Sequence, residues 1–157
     1  FPVGYLPVRL GSAEADPQLD VAVRIRVIAE GGARGRTGLG EPFVRVDDAL
    51  RAGHRAALVA PFDNDKFRMN LGIRTLDQGA TITATCTNES GTPVTSTFTY
   101  AANFVTQVPV SHFCSGPVLD NSAIRFHVDA GSAIIHGAIT DNASQDPTMY
   151  LARRYEE

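Results

Sequence analysis

Thr81–Tyr100 reads T-I-T-A-T-C-T-N-E-S-G-T-P-V-T-S-T-F-T-Y, and its pattern decides the fold class. In its first half Ile82, Ala84 and Cys86 fall on one face and Thr81, Thr83, Thr85 and Thr87 on the other. In its second half Ser96, Phe98 and Tyr100 alternate with Thr95, Thr97 and Thr99. Period-two alternation of β-branched and aromatic residues, interrupted by Ser-Gly-Thr-Pro, predicts an antiparallel hairpin with one buried face.

The rest of the chain can be laid beside that hairpin. Residues 1–10 are apolar and extended but carry Pro2 and Pro7, which remove ladder donors and restrict the segment to an edge. A small, acidic linker follows over 11–19, and then the clearest single strand, 20–29, with Val21, Val23, Ile25 and Val27 opposed to Arg24 and Arg26. Residues 30–42 hold five glycines and two arginines and read as a long loop or a loose hairpin, without the spacing of a phosphate-binding loop. A short strand over 43–46, a helical turn over 47–52 and a strand over 56–60 come next. A polar turn at 61–66 leads into F-R-M-N-L-G-I-R-T-L (67–76), where Phe67, Met69, Leu71 and Ile73 share a face. Residues 77–79 turn the chain into the hairpin.

After the hairpin come a strand over 103–110, a Ser-His-Phe-Cys-Ser-Gly-Pro corner, and a second hairpin whose arms, 123–129 and 133–140, flank an Ala-Gly-Ser turn. A polar loop over 141–148 precedes a closing strand at 149–153. About nine or ten short strands with almost no helix define an all-β chain, an antiparallel β-sandwich of immunoglobulin-like or jelly-roll type. Residues 1–19 read as an extended strand and linker, and 20–157 as the sandwich.

Composition bounds the function. With 157 residues the chain can bury a full core without metal or disulfide staples. A net charge of −3 gives no electrostatic basis for binding nucleic acid or an anionic membrane. No apolar run reaches the ~18–20 residues that span a bilayer. The first residue is Phe1, as a removed leader or a trimmed chain would leave it. Cys86 and Cys114 are the two cysteines. They read as one disulfide, Cys86–Cys114, in an exported protein or as two buried thiols in a cytosolic one.

Residues able to carry chemistry are few. His127 and His136 lie on facing arms of the second expected hairpin, with Asp129 or Cys114 as further zinc ligands, yet no metal-binding spacing supports the set. His54 and His112 are isolated. Asp63–Asp65 and the Asp141…Asp146 loop are oxygen-rich, but neither carries the ladder of a calcium loop. There is no G-x-S-x-G, and Ser111-His112 are too close in sequence to pair. No cofactor and no catalytic or metal residue is therefore expected. Asn88 and Asn142 both meet the N-glycosylation pattern, each in an expected turn.

Three stretches together resemble a known kind of module: R-T-G-L-G-E-P-F-V-R-V-D-D-A-L (36–50), F-R-M-N-L-G-I-R-T-L (67–76) and D-N-A-S-Q-D-P-T-M-Y (141–150). In that order they are similar to a β-sandwich module repeated in predicted secreted and surface proteins of bacteria, over about residues 36–152. Met69 stands where that module usually has Thr, and the two cysteines are a further departure. The resemblance implies a sandwich and export, and it implies no active site. Arg68, Asn70 and Asp141 within it are residue types that satisfy backbone groups at sheet ends.

The expected function is accordingly non-enzymatic: a structural or adhesive protomer of an extracellular or cell-surface assembly, with copies of itself as partners. In that reading residues 1–10 add to the sheet edge of a neighbouring subunit and bury Val3, Tyr5, Leu6, Val8 and Leu10 there. Pairing of the same strand within its own sandwich is the competing expectation. A secreted module that binds glycans or cell-wall polymers is the alternative function.

Overall fold

The computed structural model describes residues 25–31, 35–41 and 44–156 of the chain. The donated strand and its residues Val3, Tyr5, Leu6, Val8 and Leu10 lie outside the described residues, as does the linker. The described chain is almost entirely antiparallel β-sheet. β1 (Ile25–Gly31) and β2 (Gly35–Glu41) form a two-stranded sheet. The remaining strands are β3 (Leu50–Arg51), β4 (Arg55–Val59), β5 (Phe67–Thr87), β6 (Pro93–Tyr100), β7 (Val105–Pro109), β8 (Ala123–Asp141), β9 (Pro147–Leu151) and β10 (Arg153–Tyr155). A 3-10 turn at Val46–Asp48 and one helix, α1 (Val110–Cys114), complete the elements. No described helix is long and apolar enough to cross a membrane.

Two strands organise the sheet. β5 has 21 residues and β8 has 19, and they pair with each other along most of their lengths. The first half of β5 is flanked by β7 and the second half by β6. The second half of β8 is flanked by β9 and the first half by β4, beyond which lies β10. β6 is thus the end of the order β10-β4-β8-β5-β6.

Midway along, both strands change parity. On β5 the buried residues are Met69, Leu71, Ile73 and Thr75, then Ala80, Ile82, Ala84 and Cys86. On β8 they are Ile124, Phe126 and Val128, then Ala133 and Ile135, with Ser132, His136 and Ala138 buried on its other face. The switch coincides with register shifts between Thr75 and Ala80 and between Thr81 and Ile82. Extra residues in one strand bend it and re-aim its side chains. The bend uses two glycines at φ +70° (Gly79) and +71° (Gly131), a region that L residues enter at a cost. A Cβ on Gly131 would lie 2.1 Å from the carbonyl oxygen of Gly79, so the backbones touch there.

One hydrophobic cluster draws on both halves of both long strands, with Leu58, Val110, Phe113 and Val118 added from β4, α1 and the turn after it. Cys86 on β5 is bonded to Cys114 at the end of α1, with their Cα atoms 5.5 Å apart. The bridge closes a sequence separation of 28 residues and contributes about 3–4 kcal/mol on the chain-entropy account. It also holds Phe113 against Phe98 of β6, with ring centroids 4.9 Å apart.

The expected central hairpin is present with Thr81 opposite Thr99, Thr83 opposite Thr97 and Thr85 opposite Thr95. Three local readings need correction, and a fourth is decided between its two alternatives. The second hairpin is not a hairpin: residues 123–141 run through as one strand, and Ala130-Gly131-Ser132 supplies a bend. Residues 67–76 and 81–87 are likewise one strand, not two. For the glycine-rich stretch the loose hairpin, not the long loop, is the reading that fits: β2 pairs antiparallel with β1, because a ladder needs only backbone groups, which glycine has. Of the short strand expected over 43–46, residue 43 lies outside the described residues, 44 and 45 are not in a strand, and Val46 opens the 3-10 turn.

Candidate functional site

The face of β5 and β6 that carries the threonines looks away from the core. Asn88 N–H donates to the Thr92 carbonyl (3.0 Å), which fixes the phase of the ladder. The alternation of an antiparallel pair then makes Thr81–Thr99, Thr83–Thr97 and Thr85–Thr95 the non-hydrogen-bonded pairs, whose Cα atoms approach to about 4.5 Å. That is why their hydroxyls meet, at 3.2, 2.9 and 3.1 Å. The same phase turns the N–H and C=O groups of Thr95, Thr97 and Thr99 outward from β5, along the open side of β6.

The rows continue across the sheet. Thr83 lies opposite His127 of β8, His127 opposite Arg55 of β4, and Arg55 opposite Tyr155 of β10. One row on, Thr85 lies opposite Arg125, Arg125 opposite Ala57, and Ala57 opposite Arg153. Between these rows is a recess of about 310 Å³ lined by Arg55, Thr83, Thr85, Arg125, His127 and Tyr155.

Proton accounting orders one side of the recess. Asp129 accepts from the Thr83 hydroxyl (2.7 Å) and from His127 Nδ1 (2.7 Å). The Thr83 hydroxyl first, and the His127 ring after it, hold the Asp129 carboxyl below the usual carboxylate range. An ionised carboxylate only accepts, so His127 carries its proton on Nδ1 and Thr83 spends its one proton on Asp129. The 2.9 Å contact between Thr83 and Thr97 is therefore donated by Thr97. The chain runs Thr97 to Thr83 to Asp129, with His127 donating from the other side.

A second recess of about 340 Å³ lies between the 3-10 turn and β9, lined among others by Asp47, Asp48, His54, Ile134, Leu151 and Arg154. Burial, then the Arg154 and Arg51 cations, lower the pKa of His54, whose Nδ1 accepts from the Arg51 N–H (3.2 Å).

The zinc set read from the sequence does not assemble. His127 and His136 are on the same strand, in opposite halves of it, His127 beside Thr83 and His136 over Gly72. Asp129 does reach His127, whereas Cys114 is committed to the disulfide. No group of three or more potential ligands occurs among the described residues. His112 packs its ring against Phe98 (centroids 5.2 Å apart).

The two oxygen-rich turns come together and satisfy one another. Asn142 N–H donates to the Lys66 carbonyl (2.8 Å) and its side-chain amide to the Asp65 carbonyl (3.1 Å). Asp63 takes the backbone N–H and the ammonium of Lys66 (3.0 and 2.6 Å), and Asp141 takes the N–H groups of Ala143 and Ser144 (2.7 and 2.9 Å). Arg68 bonds the side chains of Asn142 (3.0 Å) and Gln145 (2.6 Å). Its partners are side chains rather than backbone groups. Asn88 accepts from Ser90 Oγ and the Thr92 N–H (2.7 and 2.9 Å), closing the hairpin turn.

Arg55, Arg125 and Tyr155 were not singled out from the sequence. Arg125 and His127 alternate with the buried Ile124, Phe126 and Val128 and so face outward, but nothing local marks Arg55 and Tyr155 as their neighbours.

No family model matches the chain, and no curated protein matches it significantly. A solved structure described as the crystal structure of Thermotoga maritima 1070 is similar, with 16% identity and a TM-score of 0.51. The match covers 69% of this chain and 97% of that one. At that identity the likeness concerns the fold alone.

Proposed function

We propose that the chain is a non-enzymatic structural or adhesive protomer of an extracellular assembly, joined to copies of itself along the edge of β6. The observation that carries this is the edge itself. P-V-T-S-T-F-T-Y has no charged residue, and past Pro93 it has neither a bulge nor a second proline. Sheet edges are ordinarily blunted by such devices, because an unpaired ladder templates pairing. Among the described residues β6 has one hydrogen-bonded neighbour, β5, and Thr95, Thr97 and Thr99 present outward donors and acceptors.

In this reading the strand that completes the edge is 1–10 of a neighbouring copy. The two halves of the bent sheet close on a shared core as a sandwich, supported by the single hydrophobic cluster that both supply. The disulfide and the resemblance of residues 36–152 to secreted modules favour export.

The test is the particle mass of the full chain by light scattering, with imaging of the particles. Thr97→Pro removes an outward N–H and leaves the β5 ladder intact. The expected result is a wild-type multimer with a regular repeat, and a folded monomer for both Thr97→Pro and a chain lacking residues 1–10. A wild-type monomer at high concentration would overturn the proposal.

A second reading, a glycan-binding module, is favoured by the recess, where hydroxyls, guanidinium groups and a tyrosine ring meet on an outward face.

A further inference from the structure

We propose that the recess between β5, β8, β4 and β10 binds an oxyanion, carboxylate or sulfate, carried on a hydroxyl-rich chain: an acidic glycan. The inference rests on the second reading above and names the ligand class for it.

The argument is one of charge and row geometry. The chain as a whole carries a net charge of −3, yet on this face Arg55, Arg125 and Arg153 occupy adjoining rows, and among the described residues the carboxylate next to them on β8 is Asp129. That carboxylate, Asp129, is already occupied by Thr83 and His127. Arg125 is exposed and makes no ion pair among the described residues. Arg125 and Arg153 stand on either side of Ala57 in one row. Two strand spacings put their Cα atoms roughly 9–10 Å apart, within reach of one anion over the small alanine. Planar guanidinium groups bind carboxylate and sulfate oxygens in pairs, so their placement favours an oxyanion over a neutral ring.

The rest of the recess suits the sugar that bears the anion. Tyr155 lines the recess, and a tyrosine combines an apolar ring with a hydroxyl at its tip, the pairing that packs against a pyranose. Thr83 and Thr85 place oxygens on the opposite wall. With Thr83 committed as a donor to Asp129, its oxygen can only accept, which matches a sugar hydroxyl as donor. A volume of about 310 Å³ lies at the small end of ligand sites and suits one or two residues of a chain lying across the sheet.

The experiment uses the full chain and two matched pairs of probes, examined by calorimetry and backbone amide shifts. One pair is trigalacturonate and its methyl ester; the other is a sulfated disaccharide and its desulfated form. The expected result is that one charged probe binds, its neutral partner binds about tenfold or more weakly, and Arg125→Gln lowers the charged probe to the neutral level. Arg45→Gln, away from the recess, leaves binding unchanged. Equal binding of charged and neutral partners overturns the oxyanion inference and leaves the glycan reading standing. Binding that Arg125→Gln does not alter removes the recess as the site. Binding of inorganic sulfate alone, or of no probe at millimolar concentration, overturns both.

Discussion

Gly131→Ala tests the bend on which the whole sheet depends. At φ +71° an alanine pays about 1–2 kcal/mol for left-handed backbone. Its Cβ would also sit 2.1 Å from the Gly79 carbonyl oxygen and 3.0 Å from Ala80 Cα. Those are backbone atoms of the paired strand and cannot swing aside, so relief requires the strands to part, at a cost of about 1–3 kcal/mol for overpacking. Against this, the extra constraint on the unfolded chain returns about 0.4–1 kcal/mol. The net expectation is a loss of about 1–4.5 kcal/mol, centred near 3. Gly53→Ala is the internal control, with φ +85° but nothing within 4 Å of its Cβ, and it should cost about 1 kcal/mol or less. Urea unfolding of the two variants and the parent, followed by far-ultraviolet circular dichroism, measures both. Destabilisation of Gly131→Ala to within about 0.5 kcal/mol of Gly53→Ala would refute the close crossing of β5 and β8 at the bend.

Two further perturbations probe the neighbourhood of the bend and the buried imidazole. Fully buried Thr75 donates to the Ala101 carbonyl (2.7 Å) and accepts from the Phe104 N–H (2.9 Å). Thr75→Val keeps the shape and strands both partners, so a loss of about 1–3 kcal/mol is expected in the same urea assay, and a neutral result would mean that water replaces the hydroxyl. Burial depresses the pKa of His136, so below the ordinary imidazole value of 6.5 the unfolded state takes up a proton that the folded state refuses. Stability therefore rises with pH up to about 6.5 through this residue and falls as pH drops below it. His136→Gln should flatten that part of the stability profile just below about pH 6.5, and an unchanged slope would assign it elsewhere.

The legible parts of the fold are those where one strand buries one face. Residues 81–100 declared their register because every second residue is Thr on the solvent side and apolar on the other. The long strands were misread at their centres for a physical reason: a hairpin turn and a bulged bend both place Gly among small residues, and both reset the alternation. What separates them is whether the next segment returns beside its own arm or beside another strand. In β8 both halves pair with β5, so Gly131 bends a strand that continues. Local sequence does not contain that choice. Helix α1 escaped notice because five residues are too few to show a helical period. The recess escaped for a longer-range reason, since its walls come from four strands spread over residues 55–155 and only the strand order makes Arg55, Arg125, His127 and Tyr155 neighbours.

The edge and the recess occupy opposite ends of one face, and this makes their roles separable. In the order β10-β4-β8-β5-β6 the outward ladder belongs to β6, whereas the recess is framed from β5 to β10. A strand added at β6 extends the threonine rows without covering Arg125 or Tyr155. Assembly should therefore leave the affinity of each recess unchanged while multiplying the number of recesses on a particle. Thr97→Pro should abolish assembly and keep the monovalent affinity, and Arg125→Gln should do the reverse. A polymeric ligand distinguishes the two states most sharply, because linked sites gain avidity of about 10²–10⁴ when they engage one chain together. Loss of monovalent binding in Thr97→Pro would show that the Thr97–Thr83–Asp129 hydrogen-bond chain, which that substitution cuts at its first donor, positions His127 for the ligand.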